Sequence, residues 1–326
     1  MDFDKPGRRE RLSQLGFLMR HTFSIVGRNR AILAPVFAMW AYAAAMVAVF
    51  FIGLYLIVIG SGGGGWLLFG GLIMAVYKYF FYNRAELTLS RLTFDTATGA
   101  TPTRQDATKA LAGLKAQSRR LALLDMAAAW IASRKNKEGG LMGMLLGGMG
   151  EVWDLVNHFL VPAVAVDRLN LRDGIARLKS LKNHVPETLI GVFGIDIMGG
   201  VVGTLMGPIY LFGGLAAIGC GLLFGDALPS AFSAGALREL SPDIPALGPI
   251  GPDTVFNWFP VFIFAFLGFV MHGLFARAVT AIKVIYFTLF YSRIMHSEAL
   301  DPAIRADLEG YLDLSKQKYS SAGVPA

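Results

Sequence analysis

Three ionisable residues stand where a predicted helix enters an apolar segment. Glu151, Asp154 and His158 are three and four residues apart, which places them on one face of a helix. Ionisable groups at membrane depth often mark ion or proton paths, and carboxylates and imidazole are also zinc ligands. The pattern favours a third interpretation, a face turned to headgroups or water on which the acids complement the helix dipole. We predict no metal site, because no HExxH motif, paired cysteine or clustered second histidine accompanies the three residues.

A second candidate is Asp196, the deepest acid of an apolar block over residues 188–225. Asp196 lies eight residues inside the block, which is roughly 12 Å at about 1.5 Å per residue. A charged side chain at that depth faces protein or water, so an ion path and a structural pairing are both open for Asp196. His272, within the last apolar segment, is either the partner of Asp196 or a hydrogen-bonded core histidine.

The composition assigns the chain to the membrane proteins. Of its 326 residues, 54% are hydrophobic and 16% are charged, against about 25% charged residues in soluble domains. The net charge of +7 is placed beside apolar segments, which fits anionic lipid headgroups better than nucleic acid. Cys220 is the only cysteine, which excludes an intrachain disulfide. Because no phosphate-binding loop and no serine with a base partner is recognisable, we expect neither an enzyme nor a cofactor.

The apolar segments predict an all-α polytopic membrane protein with about four full spans plus re-entrant and interfacial amphipathic helices. Five regions follow from this pattern: a cytoplasmic amphipathic segment (1–30), a transmembrane hairpin (31–92), cytoplasmic or interfacial helices with a re-entrant hairpin (93–187), a transmembrane region (188–292) with an outside loop (226–255), and a cytoplasmic C-terminal helix and tail (293–326). An arrangement with six crossings is the alternative.

The distribution of lysine and arginine sets the orientation of these spans. Residues 84–138 carry ten Lys and Arg against five acids, whereas residues 226–253 carry four acids and a single Arg. The positive-inside rule therefore places the first stretch in the cytoplasm and the second outside. By length, the block over residues 188–225 fits two tight spans separated at Gly207 and Pro208, or one span plus a half-helix. Because the loop after it lies outside, the block must cross an odd number of times, and we predict one crossing with a broken second half.

The stretch over residues 139–166 has cytoplasmic charge on both sides, so it must cross an even number of times. Its 28 residues are too few for two crossings of about 30 Å each. We therefore predict a membrane-embedded helix that enters and returns on the cytoplasmic side, with the bend at Pro162.

Two local patterns predict helix starts outside the spans. Thr103 followed by Asp106 is typical of a capping box. Asp301 followed by Pro302 predicts the start of a final helix, because proline suits the first turn.

Most of the chain resembles a known family of prokaryotic membrane proteins, catalogued only as a domain of unknown function. The resemblance lies in the order of the basic amphipathic helix, the RNRAILAP entry, the hairpin, the aromatic exit and the stretch over residues 153–183. The residues that carry the resemblance are Trp153, Phe159, Pro162, Asp167, Ala176, Ser180 and Leu181. The same stretch is distantly similar to choline transporter-like proteins. Asp167 stands where the family of unknown function usually has Glu after the proline segment. The resemblance implies a polytopic fold in a prokaryotic cytoplasmic membrane, and it implies no activity or catalytic residue.

Two functions are consistent with these patterns. We expect a non-enzymatic integral membrane protein that acts as a scaffold or accessory subunit of a membrane assembly, with both termini in the cytoplasm. Anionic membrane lipids and other membrane proteins, or further copies of the chain, are its expected partners. The alternative is a small transporter or channel that uses Asp196 within the membrane.

Overall fold

The computed structural model describes residues 24–134, 153, 156–180, 185–240 and 256–306, and within these ranges the side chains of 132–134, 178–180, 185–202 and 205 are not described. The helices are α1 (Leu33–Val58), α2 (Gly64–Ala97), α3 (Arg104–Ala110), α4 (Lys115–Arg134), α5 (Val156–Asp167), α6 (Leu171–Ser180), α7 (Val185–Leu223), α8 (Ala234–Leu240) and α9 (Phe259–Met295). In these ranges β-structure is limited to one isolated bridge between Ser233 and Asn257. The predicted all-α class is therefore confirmed.

Four helical segments are long and apolar enough to cross a membrane. They are Arg30–Val58, Gly64–Ala97, Met206–Leu223 and Phe259–Met295. A crossing requires about 20 predominantly apolar residues, and three of the four exceed that length with 29, 34 and 37 residues. This confirms the predicted polytopic helical membrane protein with about four spans. The helices of the second and last spans are the longest of these, and they end at Ala97 and Met295.

The predicted break in the third apolar block is wrong. Helix α7 runs without interruption for 39 residues, and Pro208 lies inside it. Proline removes only one backbone N–H from the helical ladder, and transmembrane helices tolerate that loss because neighbouring groups satisfy the carbonyl that would have accepted it. The helix begins at Val185, so Asp196 lies 11 residues along it.

The predicted return at Pro162 is also not observed. Helix α5 continues through this residue from Val156 to Asp167. The helix ends at Asp167, and the next residue, Arg168, has a φ of 55° in the left-handed region that reverses the direction of the backbone at helix C-termini. Residues 135–152, which include the start of the predicted re-entrant stretch, lie outside the described residues. Residues 1–23, most of the predicted amphipathic segment, also lie outside them.

The chain forms two compact units, and each of the four long helices contributes residues to both. The first unit comprises Met1–Ala38, Tyr79–Ile195 and Val279–Ala326. The second comprises Met39–Lys78 and Asp196–Ala278.

Helix α5 is the centre of the first unit. Ten consecutive residues, 157–166, are buried, which is expected of a helix that is apolar on all sides. One side belongs to a cluster with α2, α4 and α9, through Leu160 and Val164 against Leu89, Leu121 and Val284 among others. The other side belongs to an aromatic cluster with α9, formed by Phe159, Ala163, Val166, Tyr286, Phe287, Phe290 and Tyr291. The position of each end of α5 is therefore fixed by packing.

The second unit is held by aromatic and small residues. Phe51 of α1 contacts three rings of α9, those of Phe262, Phe266 and Phe269, at centroid distances of 5.1, 5.5 and 5.9 Å. Gly60 has a φ of 74° in the turn that joins α1 to α2, a conformation that glycine adopts without steric cost. Large apolar side chains cover the outer surface, as expected where lipid or another apolar helix is the neighbour.

The two predicted helix starts are confirmed. The Thr103 hydroxyl accepts a bond from the Asp106 N–H, and the Asp106 carboxylate accepts one from the Thr103 N–H, which completes the capping box. The carboxylate of Asp301 accepts bonds from Ala303 and Ile304 at the start of the helix over residues 302–306.

Candidate functional site

The carboxylate of Asp167, the last residue of α5, is the centre of a polar cluster in the first unit. Its side chain is 12% exposed. The hydroxyl of Tyr291 donates to Oδ2 at 2.5 Å, and Nε2 of His296 lies 2.6 Å from Oδ1. The guanidinium of Arg177, on α6, lies 4.0 Å from Oδ2. These four residues are referred to below as the Asp167 cluster.

The geometry of the cluster is set by the ends of α5 and α9. Tyr291 is fully buried on the last turns of α9, so its ring cannot turn away from Asp167. His296 follows the end of α9 and is fixed by a bond from its own N–H to the carbonyl of Ser292 at 2.7 Å. The His296 ring also packs edge-on against Phe94 of α2, with centroids 5.5 Å apart.

Besides His296 and Arg177, a further basic side chain binds the C-terminal end of α5. Arg91 of α2 pairs with Asp95 at 2.7 Å and lies 5.6 Å from the ring of Phe94. Its guanidinium also donates to the carbonyl of Val166 at 3.4 Å. Carbonyls at a helix C-terminus have no partner within the helix, so Arg91 both satisfies this one and complements the negative end of the helix dipole.

The carboxylate, phenol and imidazole of the Asp167 cluster are groups that can exchange protons, but here they are hydrogen-bonded to each other. An ionised carboxylate only accepts hydrogen bonds, so beside an ionised Asp167 the hydrogen of this contact belongs to Nε2 of His296. A buried carboxylate is costly unless it is paired and hydrogen-bonded, and the Tyr291 hydroxyl and the His296 imidazole supply that compensation. The arrangement therefore favours a structural link between α5, α6 and α9.

Asp125 forms a similar link within the first unit. It is the only acid of α4, and its two carboxylate oxygens accept bonds from the indole N–H of Trp153 at 2.8 Å and from the Asn83 amide at 2.5 Å. Asn83 is 2% exposed on α2 and also donates to the carbonyl of Tyr79. Trp153, one of the residues that carry the family resemblance, thus connects to α2 through Asp125.

Asn29 links the entry of the first span to two other segments of the first unit. Its side chain accepts a bond from the Ala31 N–H and so caps the helical turn that begins at Arg30. The amide also donates to the Thr96 hydroxyl at 3.1 Å and to the carbonyl of Pro102 at 3.0 Å. A single amide therefore ties residues that are far apart in sequence.

Asp301 lies beside the same entry segment. It accepts an ion-pair contact from Arg28 at 3.3 Å, and its backbone N–H donates to the carbonyl of Ala97 at 2.9 Å. The hydrogen bond from the Ile304 N–H, helped by Arg28, lowers the pKa of the Asp301 carboxyl below its ordinary value.

Of the residues predicted from sequence as an ion path, the structure describes the side chains of two, His158 and His272. His158 is buried in the core of the first unit, 5.2 Å from the ring of Phe287. His272 is exposed on α9 in the second unit. The backbone of Asp196 lies in α7 but its side chain is outside the described set, and both Glu151 and Asp154 lie outside the described residues.

Among the residues that carry the family resemblance, the structure describes the side chains of Trp153, Pro162 and Asp167. Asp167 is the centre of its cluster, Trp153 bonds to Asp125, and Pro162 is buried within α5. Ser180 is the last residue of α6, and its side chain is not described. In the described ranges, no group of three or more His, Cys, Asp or Glu side chains is placed to hold a metal ion.

Sequence reasoning did not identify the partners of Asp167. The sequence patterns assigned no role to Tyr291, His296 or Arg177. The one available signal was a tyrosine and a histidine five residues apart where the last apolar segment ends. Three comparisons of the chain, with protein-family models, with curated protein sequences and with solved structures, found no match.

Proposed function

We propose that this chain is a non-enzymatic integral membrane protein that acts as a scaffold or accessory subunit of a membrane assembly. The observation that carries the proposal is the use of the polar side chains inside the first unit. Asp167, Asp125, Asn29 and Ser90 each bond to a residue far away in sequence, and Ser90 does so with Thr288 of α9 at 2.8 Å, where both are fully buried. Groups used in this way stabilise one fixed arrangement of helices.

The outer surface of the second unit supports the same proposal. Several large apolar side chains are mostly exposed, among them Trp66 at 79%, Phe212 at 68% and Phe269 at 59%. These residues lie on three of the segments that are long and apolar enough to cross a membrane. Such a surface requires apolar neighbours, which lipid or the helices of a partner subunit supply.

Photocrosslinking in intact cells tests the proposal. We would place a photoreactive phenylalanine analogue at Trp66, Phe212 or Phe269, with Met39 as the matched control because it is fully buried in the same unit. If the protein is a scaffold, we expect a discrete crosslinked protein, either a partner or a second copy of the chain, at one or more of the exposed positions. Adducts with lipid alone at all three exposed positions would contradict the proposal.

We further propose that the protein lies in the prokaryotic cytoplasmic membrane with both termini inside. The excess of lysine and arginine between residues 84 and 138 supports this orientation. In a background in which Cys220 is replaced by alanine, single cysteines at Ala116 and Ala231 should differ in intact cells. A membrane-impermeant maleimide should label position 231 only, and labelling at both positions or at neither would contradict this topology.

A small transporter or channel is the second candidate function, and Asp196 is the residue that favours it. The backbone of Asp196 is helical within α7, eight residues beyond Thr188, where the apolar block begins, or roughly 12 Å at about 1.5 Å per residue. An ionisable group that far into an apolar helix faces protein or a water-filled path. Ion flux into proteoliposomes that is lost in Asp196→Asn and retained in Asp226→Asn, an exposed acid of the following loop, would establish transport in place of the scaffold.

A further inference from the structure

Helix α4 carries a stripe of exposed side chains along one face. Lys115, Arg119, Leu123, Ala127 and Trp130 are all exposed, and their spacing of three or four residues places them on one side of the helix. Leu123 is 49% exposed and Trp130 is 59% exposed. Two large, partly exposed apolar side chains thus lie two turns apart on the same side of the helix.

The opposite face of α4 is fixed against the rest of the first unit. Leu121 and Ala122 are fully buried. Asp125 also points inward, where it bonds to Asn83 and Trp153. The rotation of α4 about its axis is therefore determined, and its single acid is directed away from the exposed stripe.

The stripe has a basic half and an apolar half. Lys115 and Arg119 are exposed in the first two turns, Arg120 is exposed beside them, and Leu123 and Trp130 follow. Between residues 115 and 131 no exposed residue is acidic. Basic side chains next to tryptophan and leucine are typical of helices that lie in the plane of a membrane interface.

We infer that this face of α4 binds the surface of an anionic lipid bilayer. The three cations contact lipid phosphates, and Leu123 and Trp130 insert at the boundary between headgroups and acyl chains. The spans of the same chain tether α4 near a bilayer, so no diffusional encounter is required. The inference does not depend on the proposed scaffold function, because it concerns lipid and a helix outside the four spans.

Charge argues against a second copy of this chain on the same face. A two-fold symmetric contact places the same surface on both partners. If the two helices were parallel, the cations at Lys115, Arg119 and Arg120 would meet each other. If they were antiparallel, the cations would lie over the apolar half of the partner, where nothing balances their charge. An anionic bilayer offers negative charge and an apolar layer together.

The test is the depth of a nitroxide label on the full-length protein in vesicles. Ala127 is exposed between Leu123 and Trp130, so an Ala127→Cys label reports on the apolar half and leaves both anchors in place. Cys220 is first replaced by alanine. In vesicles of phosphatidylcholine with phosphatidylglycerol, we expect the label to collide with oxygen but not with a water-soluble nickel chelate. A label at Ala116, on the basic half, should be more accessible to the chelate.

Charge variants test the role of the lipid headgroups. Each Lys or Arg near an anionic surface changes a binding equilibrium by about fivefold, so replacing Lys115, Arg119 and Arg120 together by glutamine should lower the ratio of bound to unbound α4 about a hundredfold. The matched control removes three exposed cations elsewhere, through Arg104→Gln, Lys109→Gln and Arg172→Gln, and should leave the depth of the label unchanged.

Three results would overturn the inference. The first is a label at position 127 that meets the nickel chelate equally well in vesicles with and without phosphatidylglycerol. The second is a label shielded from both oxygen and the chelate, which would mean that protein covers the face. The third is a loss of depth in the control variant equal to that in the α4 variant. Circular dichroism and gel filtration of each variant would separate these outcomes from misfolding.

Discussion

Replacement of Asp167 is the most informative perturbation of the described structure. In Asp167→Ala, the fully buried Tyr291 hydroxyl loses its acceptor and His296 loses a hydrogen-bond partner. Leaving a buried hydrogen-bonding group without its partner costs about 1–3 kcal/mol. Because the His296 side chain is 32% exposed and can bond to water, the unpaired Tyr291 hydroxyl is the main cost, and we expect the free energy of unfolding to fall by about that amount.

The partner substitution provides the second arm of a double-mutant cycle. Tyr291→Phe removes one charge-assisted hydrogen bond, which is worth about 1.5–3 kcal/mol. Because both substitutions remove the same contact, the double variant should be less destabilised than the sum of the two, with a coupling energy of about 1–3 kcal/mol. The measurement is reversible unfolding in mixed detergent micelles, followed by tryptophan fluorescence.

Glu298→Gln is the matched control for this cycle. Glu298 is an exposed acid two residues beyond His296, and exposed substitutions of this kind stay within about 0.5 kcal/mol. Additive effects of Asp167→Ala and Tyr291→Phe, or an Asp167→Ala variant as stable as the control, would refute the assignment of Asp167 as a link between helices.

Three further predictions concern single positions outside the Asp167 cluster. Asn29→Ala removes a cap and two hydrogen bonds and should lower the free energy of unfolding by about 1–3 kcal/mol, whereas a loss under 0.5 kcal/mol would argue against the link. Gly60→Ala forces a side chain into a φ of 74° and should cost about 1–2 kcal/mol, while Gly65→Ala, within α2 and with no atom near its added Cβ, should cost nothing in the same unfolding assay. The lowered pKa of Asp301 predicts a stabilisation that is present above its unfolded pKa of about 3.9 and is lost as the pH falls through the lower folded value. Unfolding of the natural protein and of Asp301→Asn should therefore converge in strong acid, and a constant difference across pH would contradict the contribution of this carboxylate.

Local patterns explain what the sequence could predict. The spans follow from runs of apolar residues long enough to cross a bilayer, and the capping box at Thr103 and Asp106 requires only four consecutive residues. The start of the last short helix at Asp301 is equally local. Each of these features depends on residues within one or two turns, so neighbouring sequence is enough to determine it.

Proline positions show where local rules fail. Pro162 and Pro208 both lie inside continuous helices, although each was expected to bend or end one. The cost of a missing backbone hydrogen bond depends on what surrounds the carbonyl that loses its donor. The groups around this carbonyl are brought there by the packing of the whole structure, so the residues next to the proline in sequence do not reveal them.

The candidate site shows the same limit at longer range. Asp167 was singled out from the sequence, but its two closest partners are 124 and 129 positions away. Nothing local to Tyr291 or His296 indicates which carboxylate they meet. Asp125 and Asn83, 42 positions apart, were likewise not paired in advance. Contacts of this kind are set by the packing of α2, α5 and α9 together.

The most direct test of the scaffold proposal is the composition of the particle that contains this chain in its own membrane. The membrane would be excised into polymer nanodiscs without detergent, and the tagged protein would be isolated and weighed by native mass spectrometry. We expect a complex in which the chain is accompanied by a second polypeptide, or by further copies of itself, at a fixed ratio. A particle that holds one copy of the chain and lipid alone would contradict a role in a membrane assembly.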